Sequence, residues 1–272
     1  MSRQPDGPPP PPVVQRLRIR YAKRGRLRFT SHRDFARAFE RALRRAAVPM
    51  AYSAGFSPHP KVSYAGAAPT GVASEAEYLE IALAEQREPD WVRDALDAAL
   101  PPGLDIVDVV EAGPPALADR IEASHWRVEL PGVEPAEASR AAQAFLALGE
   151  APVEKVTKDG RRTVDARPPV LELRLSDSGV SELEETDTSA HCAILDLVVR
   201  HVQPTVRPDD VLTALRQAAA LTTPVTPMVT RLAQGLLGEA PPVETESTGA
   251  GQSAPIILRD PLRDVAAQAA TR

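Results

Sequence analysis

The order of the hydrophobic patterns along the chain limits its fold more than any other feature. Between residues 14 and 110 these patterns predict a strand, a helix, two strands, a helix and a strand, and the same order returns between residues 124 and 236. This order is typical of the ferredoxin-like arrangement, in which two helices back an antiparallel sheet. We therefore predict an α+β protein built from two tandem ferredoxin-like (βαββαβ) domains with antiparallel sheets.

The domain boundaries follow from composition. Five consecutive prolines precede the first predicted strand, and the last part of the chain is rich in Pro, Thr, Gly and Ala, so both ends are expected to be disordered. We predict a Pro-rich tail over residues 1–12, a basic ferredoxin-like domain over 13–115, a second ferredoxin-like domain over 122–238 and a tail over 239–272.

Several local elements are also predicted. Residues 26–29 alternate in polarity and are expected to be a strand or the continuation of the first one. Residues 153–157 and 170–175 are expected to be strands around a basic turn, and 177–190 an acidic loop. Residues 256–258 are expected to be a short docking motif.

The charge of the chain is unevenly distributed. Residues 13–61 hold thirteen basic and two acidic side chains, a net charge of +11, although the whole chain carries −5. A basic field of this strength attracts polyanions, phosphate backbones first among them. The alternative is an acidic second half that packs against the basic first half.

A capping pattern marks the start of the first helix, which we predict over residues 31–47. Ser31 can accept a hydrogen bond from an exposed backbone N–H, and Asp34 can bond back. Because a helix N-terminus attracts anions, Ser31, His32 and Arg33 together are a candidate phosphate site. A capping arrangement without a ligand is the alternative.

Arginines recur one turn apart along this helix, and aromatic side chains lie among basic ones in and after the loop that follows it. Such interleaving suits base stacking on single-stranded RNA, whereas a lone aromatic is more often part of a core. Pro58 and Pro60 fix the direction of His59, and functional groups concentrate on rigidly held loops. The candidate nucleic-acid contacts here are Arg28, Ser31, His32, Arg33, Arg37, Arg41, Tyr52, Ser53, Phe56, His59, Lys61 and Tyr64.

A second, mainly basic patch surrounds the turn predicted in the second domain. A solvated hairpin is one interpretation of it. Joined to the helix arginines across the two domains, it would form a groove that follows a phosphate backbone. Its candidate nucleic-acid contacts are Lys158, Arg161, Arg162 and Arg167.

Catalysis is the main alternative to binding alone. His59 or His32, with Glu75 or Glu77, could supply acid–base chemistry on RNA. The sequence holds no Ser-His-Asp order, His-Glu-x-x-His helix, glycine-rich phosphate loop or metal-ligand cluster, so neither a metal nor a cofactor is predicted. The other histidines lie on predicted strands without Cys or acid partners at ligand spacing and are interpreted as structural: His125, His191 and His201.

Compartment is inferred from what the sequence lacks. Cys192 is the only cysteine, so the chain cannot form an internal disulfide. We expect Cys192 to be a buried structural thiol. No apolar stretch approaches the roughly 18 residues of a membrane span, and the N-terminus has no apolar signal core. We therefore predict no membrane partner and a cytoplasmic location by default.

Several motifs occur together in one order. These are Arg28-Phe29 with Ser31-His32-Arg33-Asp34, the run from Tyr52 to Pro60, the group Gly71, Ser74, Glu75 and Tyr78, and later Asp165-Ala166-Arg167-Pro168. In these residues the chain resembles the bacterial radical-SAM-associated (radical-SAM-linked) proteins, a family built on a domain of unknown function, in its standalone form. The resemblance spans most of residues 14–236.

The resemblance implies an accessory role. In that family the module occurs alone or fused behind a radical-SAM enzyme region, to which the chemistry is attributed, and standalone members tend to be encoded near a ribonuclease of the E/G type. The present chain lacks the three-cysteine cluster motif, so it is not the radical enzyme itself. The expected partners are a separate radical-SAM enzyme and RNA.

Taken together, these features lead to one main hypothesis. We expect a radical-SAM-associated accessory protein that binds an RNA, either a tRNA or an rRNA. The bound RNA would be the substrate of a separate radical-SAM modification enzyme. The alternatives are an RNA-modifying or RNA-processing enzyme that uses His/Glu acid–base chemistry, and a protein–protein scaffold whose arginines dock an acidic partner.

Overall fold

The computed structural model describes residues 10–157, 160–176, 192–238 and 256–263. The chain divides into two compact units, Met1–Arg120 with Pro261–Arg272, and Ile121–Asp260. Each unit combines helices with antiparallel strands, so the predicted mixed class is confirmed. The acidic loop that the sequence predicts after residue 176 lies outside the described residues.

Four strands and two helices form the described part of the first unit. Its strand order is β4-β1-β3-β2, and each neighbouring pair in that order is antiparallel. In chain order the elements are β1 (Gln15–Lys23), α1 (His32–Arg45), β2 (Val62–Ala65), β3 (Ala73–Leu83), α2 (Pro89–Ala99) and β4 (Leu104–Glu111).

Helix α1 forms because its apolar side chains recur at helical spacing on one face. Phe35, Phe39 and Leu43 are all buried in the core of the first unit, where they meet strand residues such as Ile19. The Tyr21 ring stacks on Phe35 with centroids 4.3 Å apart. Full burial of one such side chain contributes about 1.5–3 kcal/mol. The core therefore fixes which face of α1 is left for solvent.

The chain between β1 and α1 differs from the prediction. Residues 26–29, expected to be a strand, belong to the 3₁₀ helix Gly25–Phe29. Gly25 has φ +52°, a left-handed conformation that glycine adopts without strain, and the amides of Leu27 and Thr30 bond back to the carbonyls of Arg24 and Leu27. The alternation of polarity in this stretch is therefore not a strand period.

The second unit has the same succession of elements with an added hairpin. Its main sheet has the order β10-β5-β9-β8, and the described neighbours in that order pair antiparallel. In chain order its elements are β5 (Ala123–Pro131), α3 (Pro135–Leu146), β6 (Pro152–Thr157), β7 (Gly160–Asp165), β8 (Val170–Leu175), β9 (Cys192–Arg200), α4 (Pro208–Ala219), β10 (Met228–Gly238) and β11 (Ile257–Arg259).

Two details of this unit were not predicted. The strand β6 pairs with β7 and not with β8. Residues 160–165 were not predicted as a separate strand, and the pairing of Thr157 with Gly160 shows that the chain reverses there. The expected docking motif after residue 255 is the strand β11, which pairs with Leu236–Gly238 at the end of β10.

Candidate functional site

The arginines of strand β1 are structural. Arg18 is 3% exposed and donates to the carbonyls of Gly113 and Pro115, and its guanidinium lies 3.4 Å from the Glu80 carboxylate. Arg16 reaches the same carboxylate at 3.3 Å. Both guanidinium groups are therefore held by groups of their own unit.

A second group of basic residues is paired at the end of β1. Arg24 holds both Glu75 and Asp105, with the nitrogen-to-oxygen distance to Asp105 at 2.8 Å. The hydrogen bond that Arg24 donates to the Glu75 carboxylate raises the pKa of Arg24 above its ordinary value. Arg20 donates to the Glu75 carbonyl. Glu75 is thus part of a structural ion pair, which weakens the case for it as a catalytic acid or base.

Helix α1, in contrast, carries free cations. Arg33, Arg37 and Arg41, which we call the α1 arginine row, are exposed and form no ion pair within the described part of the chain. The next basic residues on the helix are engaged, because Arg44 pairs with Glu40 and Arg45 donates to a carbonyl of α2. Three of the cations of the basic stretch that have no ion pair in the described residues therefore lie together on one helix.

Ser31 and Asp34 cap the N-terminus of α1 with hydrogen bonds to each other. The Ser31 hydroxyl oxygen accepts a hydrogen bond from the Asp34 amide at 3.2 Å, as predicted, and the hydroxyl donates to the Asp34 carboxylate at 2.6 Å. Because the Asp34 carboxylate already supplies negative charge at this helix end, the cap interpretation is favoured over a phosphate site formed by Ser31, His32 and Arg33.

His32 lies on the side of α1 that faces β2. Its exposed ring meets Tyr64 of β2 edge to face, with centroids 4.7 Å apart. Burial, assisted by the charge of Glu40, raises the pKa of Tyr64 to about 12. Among the described strands β2 pairs only with β3, so β2 is an edge strand of this sheet.

The loop between α1 and β2 is a narrow hairpin. Tyr52 and Pro60 form an isolated bridge, the Ser53 amide donates to the His59 carbonyl at 2.9 Å, and the His59 amide donates to the Ser53 hydroxyl at 3.1 Å. These bonds hold the backbone of His59 while its side chain is exposed. Phe56, at the tip, is 72% exposed.

The base of this hairpin lies against α1. A cavity of about 210 Å³ separates them, and its lining includes Glu40 and Arg44 of the helix and Tyr52 and Pro60 of the loop. The hairpin, the helix and β2 therefore form one continuous side of the first unit. Lys61, at the start of β2, is exposed there as well.

The opposite end of the same side carries an aromatic that the sequence reading left out. Phe29 is 59% exposed, and the Arg28 guanidinium lies 4.8 Å from the centre of its ring. The Gly71 amide donates to the Arg28 carbonyl at 2.8 Å, which fixes this turn beside the chain that joins β2 to β3. The sequence does place an aromatic residue, Phe29, directly after a basic one, Arg28. Because residues 26–29 were expected to be a strand, Phe29 was not predicted as a ligand contact.

We refer to this whole side as the α1–β2 surface. It comprises the predicted nucleic-acid contacts of the first unit, except Ser31, whose hydroxyl caps α1, together with the newly found ring of Phe29. Its members are Arg28, Phe29, His32, Arg33, Arg37, Arg41, Tyr52, Ser53, Phe56, His59, Lys61 and Tyr64.

The two predicted acids are not beside His59. The hairpin base is bonded to the end of β3, where the Ala82 amide donates to the Lys61 carbonyl. Glu77 precedes Ala82 by five residues of the same strand, roughly 17 Å at the rise of a strand. Glu77 is also buried and accepts a hydrogen bond from the Ala68 amide. The geometry does not assemble a His59–Glu catalytic pair.

The basic patch of the second unit is only partly free. Arg162 is exposed without an ion pair in the described residues, whereas Arg161 lies 3.4 Å from Glu154. Arg167 donates to the carbonyls of Leu146 and Val170, which gives it a structural role. Lys158 lies outside the described residues.

One pair of residues in the second unit was missed by the sequence reading. His125 on β5 lies 3.3 Å from Asp196 on β9, because the antiparallel register brings the two strands together there. Burial opposes ionisation of Asp196, but hydrogen bonds from His125 and Ser176 and the charges of His125 and Arg174 outweigh it, so the pKa of Asp196 lies below its ordinary value. Sequence spacing gives no sign of this pair.

The described residues contain no group of His, Cys, Asp and Glu side chains that could hold a metal ion. No helix among them has the length and apolar character needed to cross a membrane. Cys192 is half-buried, less than predicted, and burial raises the pKa of its thiol.

Comparison with known proteins gives a family but no function. No curated protein matches the chain. A family model described as an uncharacterized protein conserved in bacteria (DUF2344) matches residues 16–208, from β1 to the start of α4. Since this match covers well over half of the chain, the protein belongs to that bacterial family of uncharacterized proteins, DUF2344.

Proposed function

We propose that the protein binds RNA through the α1–β2 surface. The observation that carries this proposal is the α1 arginine row, Arg33, Arg37 and Arg41, which is exposed and free of ion pairs within the described residues. Most other cations of the basic stretch are held by carboxylates or carbonyls of the same unit. Cations left unneutralised beside exposed aromatic rings match what a nucleic-acid backbone and its bases require.

The fold determines where the arginine row lies in its unit. We infer that each unit is a ferredoxin-like domain, because each has the βαββαβ succession and a sheet in which the first strand lies between the fourth and the third. The helix that carries the arginine row follows the first strand of its unit. The groove predicted between the row and the basic hairpin of the second unit stays a prediction.

The partner enzyme rests on the sequence resemblance alone. We propose that the bound RNA, a tRNA or rRNA, is presented to a separate radical-SAM modification enzyme. The chain has one cysteine, which is too few for the cluster of such an enzyme. The alternative of catalysis by His59 with Glu75 or Glu77 loses support, because the register places both acids far from His59 and Glu75 pairs with Arg24.

Binding is tested by the salt dependence of affinity. The variant Arg33→Gln/Arg37→Gln/Arg41→Gln removes the row. The control Arg140→Gln/Arg200→Gln/Arg216→Gln removes three exposed arginines of the second unit, which also form no ion pair within the described residues, at the same cost in net charge. The plot of log affinity against log salt has a negative slope. For three lost phosphate contacts this slope should become less steep by about 2, at about 0.7 per contact on a single strand.

The control variant separates a site from a general field. If RNA affinity and its salt slope fall only in the row variant, the α1–β2 surface is the binding site. If both variants weaken binding equally, or if the wild-type affinity does not change with salt, the proposal is wrong. A labelled mixed-sequence RNA of about 20 nucleotides and fluorescence anisotropy are sufficient, and about 4–16 nucleotides is the usual site size of one single-strand-binding fold.

A further inference from the structure

Two exposed phenylalanines occupy opposite ends of the α1–β2 surface. Phe56 is 72% exposed and Phe29 is 59% exposed, whereas the other three phenylalanines of the chain, Phe35, Phe39 and Phe145, are at most 3% exposed. The chain thus buries phenylalanine wherever it forms a core and exposes it only here. Exposed aromatic rings on a surface that also carries cations are suited to base stacking.

The backbone presents Phe56 to solvent. Gly55, directly before it, has φ +134°, and a Cβ atom added there would meet nothing within 4 Å. Glycine is therefore required by the backbone conformation and not by a lack of space. The bonds between Ser53 and His59 close the hairpin below this tip, so the ring is held away from the body of the unit.

Phe29 is held differently and already has one stacking partner. The Arg28 guanidinium lies over the ring at 4.8 Å, and the turn is fixed by the bond from the Gly71 amide to the Arg28 carbonyl. An aromatic ring beside a guanidinium offers a base both a π-face and a positive charge for the adjoining phosphate. Phe29 and Arg28 together are thus suited to one nucleotide.

The spacing between the two ends suggests the length of the ligand. Phe29 precedes helix α1, and the base of the hairpin that carries Phe56 lies against the C-terminal half of this helix, whose 14 residues span about 21 Å. Stacked nucleotides advance about 3.4 Å each along one strand, and this distance corresponds to about six of them. The α1 arginine row is exposed on this helix, where it can contact the backbone of such a segment.

We propose that the α1–β2 surface binds a single-stranded RNA segment of about six nucleotides, with bases stacked on Phe29 at one end and on Phe56 at the other. This inference rests on the proposed RNA-binding function. A duplex cannot satisfy it, because paired bases within an RNA helix do not present their faces to a side chain. Loops, bulges and unpaired ends are therefore the expected targets.

The test separates stacking from charge. Phe29→Ala and Phe56→Ala should each weaken binding of an unpaired ten-nucleotide RNA by about 5- to 150-fold, as expected for loss of one base stack, and leave the salt slope unchanged because no phosphate contact is lost. Phe29→Tyr and Phe56→Tyr keep an aromatic ring and should retain affinity. A blunt-ended stem of matched length, made of two paired strands without a loop, should bind more weakly, and the alanine variants should not change its affinity.

The outcomes distinguish this inference from the function beneath it. If the row variant loses RNA affinity but both alanine variants bind the single strand as the wild type does, stacking is wrong and RNA binding stands. Equal affinity for single strand and stem has the same meaning. If the wild type binds neither RNA, the proposed function fails, and the inference fails with it. Both rings are exposed, so circular dichroism should show an unchanged fold in every variant.

Discussion

The separation of structural from free arginines makes a quantitative prediction about stability. Arg18→Met keeps the length of the side chain but leaves the Gly113 and Pro115 carbonyls without this donor and takes one cation from Glu80. Loss of one partner from a buried ion pair costs about 3–5 kcal/mol. Since Glu80 keeps Arg16, we expect the lower figure, about 3 kcal/mol. The matched change Arg37→Met, on the exposed row, should cost less than about 0.5 kcal/mol.

Urea denaturation measures this difference. The chain has two tryptophans, one in each unit, so a Trp126→Phe background leaves Trp91 of α2 to report on the first unit. With a slope of about 2 kcal/mol per molar urea, Arg18→Met should lower the midpoint by about 1.5 M and Arg37→Met by no more than about 0.25 M. Equal shifts for the two variants would refute the division of the basic stretch into structural and free arginines.

Two further predictions concern stability. Ser31→Ala should destabilise α1 by about 1 kcal/mol, because the Asp34 amide loses its acceptor. Ser31→Asp should restore most of that loss. A Ser31→Ala variant as stable as the wild type would argue against the cap. The lowered pKa of Asp196 stabilises the second unit above the ordinary pKa of an aspartate, and this contribution is lost as the pH falls through the lower, folded-state pKa. The stability advantage of the wild type over Asp196→Asn, measured by urea midpoints, should therefore shrink on acidification from about pH 6 to about pH 3, and an advantage independent of pH would contradict the His125–Asp196 pairing.

Local patterns predicted most of the elements. Helices α2 and α4 each begin at a proline and continue with a clear apolar period, both of which are visible in the sequence. Helix α1 is slightly shorter than expected, since Ser31 is its cap and Ala47 adopts a left-handed φ of +51°. These features depend on a few neighbouring residues and are therefore legible in a single sequence.

Features that depend on distant partners were not predictable in the same way. The burial of Arg18 results from carbonyls 95 and 97 residues further along the chain. The His125–Asp196 pair depends on strand register, and the separation of His59 from Glu77 on where the hairpin joins β3. The α1 arginine row, in contrast, follows from helical spacing, but its freedom from ion pairs within the described residues required the structure.

The central claim is that RNA lies on the α1–β2 surface, and ultraviolet crosslinking tests it most directly. The full-length protein would be irradiated with a short unpaired RNA, digested, and the RNA-linked peptides identified by mass spectrometry. We expect adducts on the aromatic side chains of this surface, chiefly Phe29, Tyr52 and Phe56, and their loss in the Arg33→Gln/Arg37→Gln/Arg41→Gln variant. Adducts confined to other parts of the chain, or unchanged in that variant, would contradict the account.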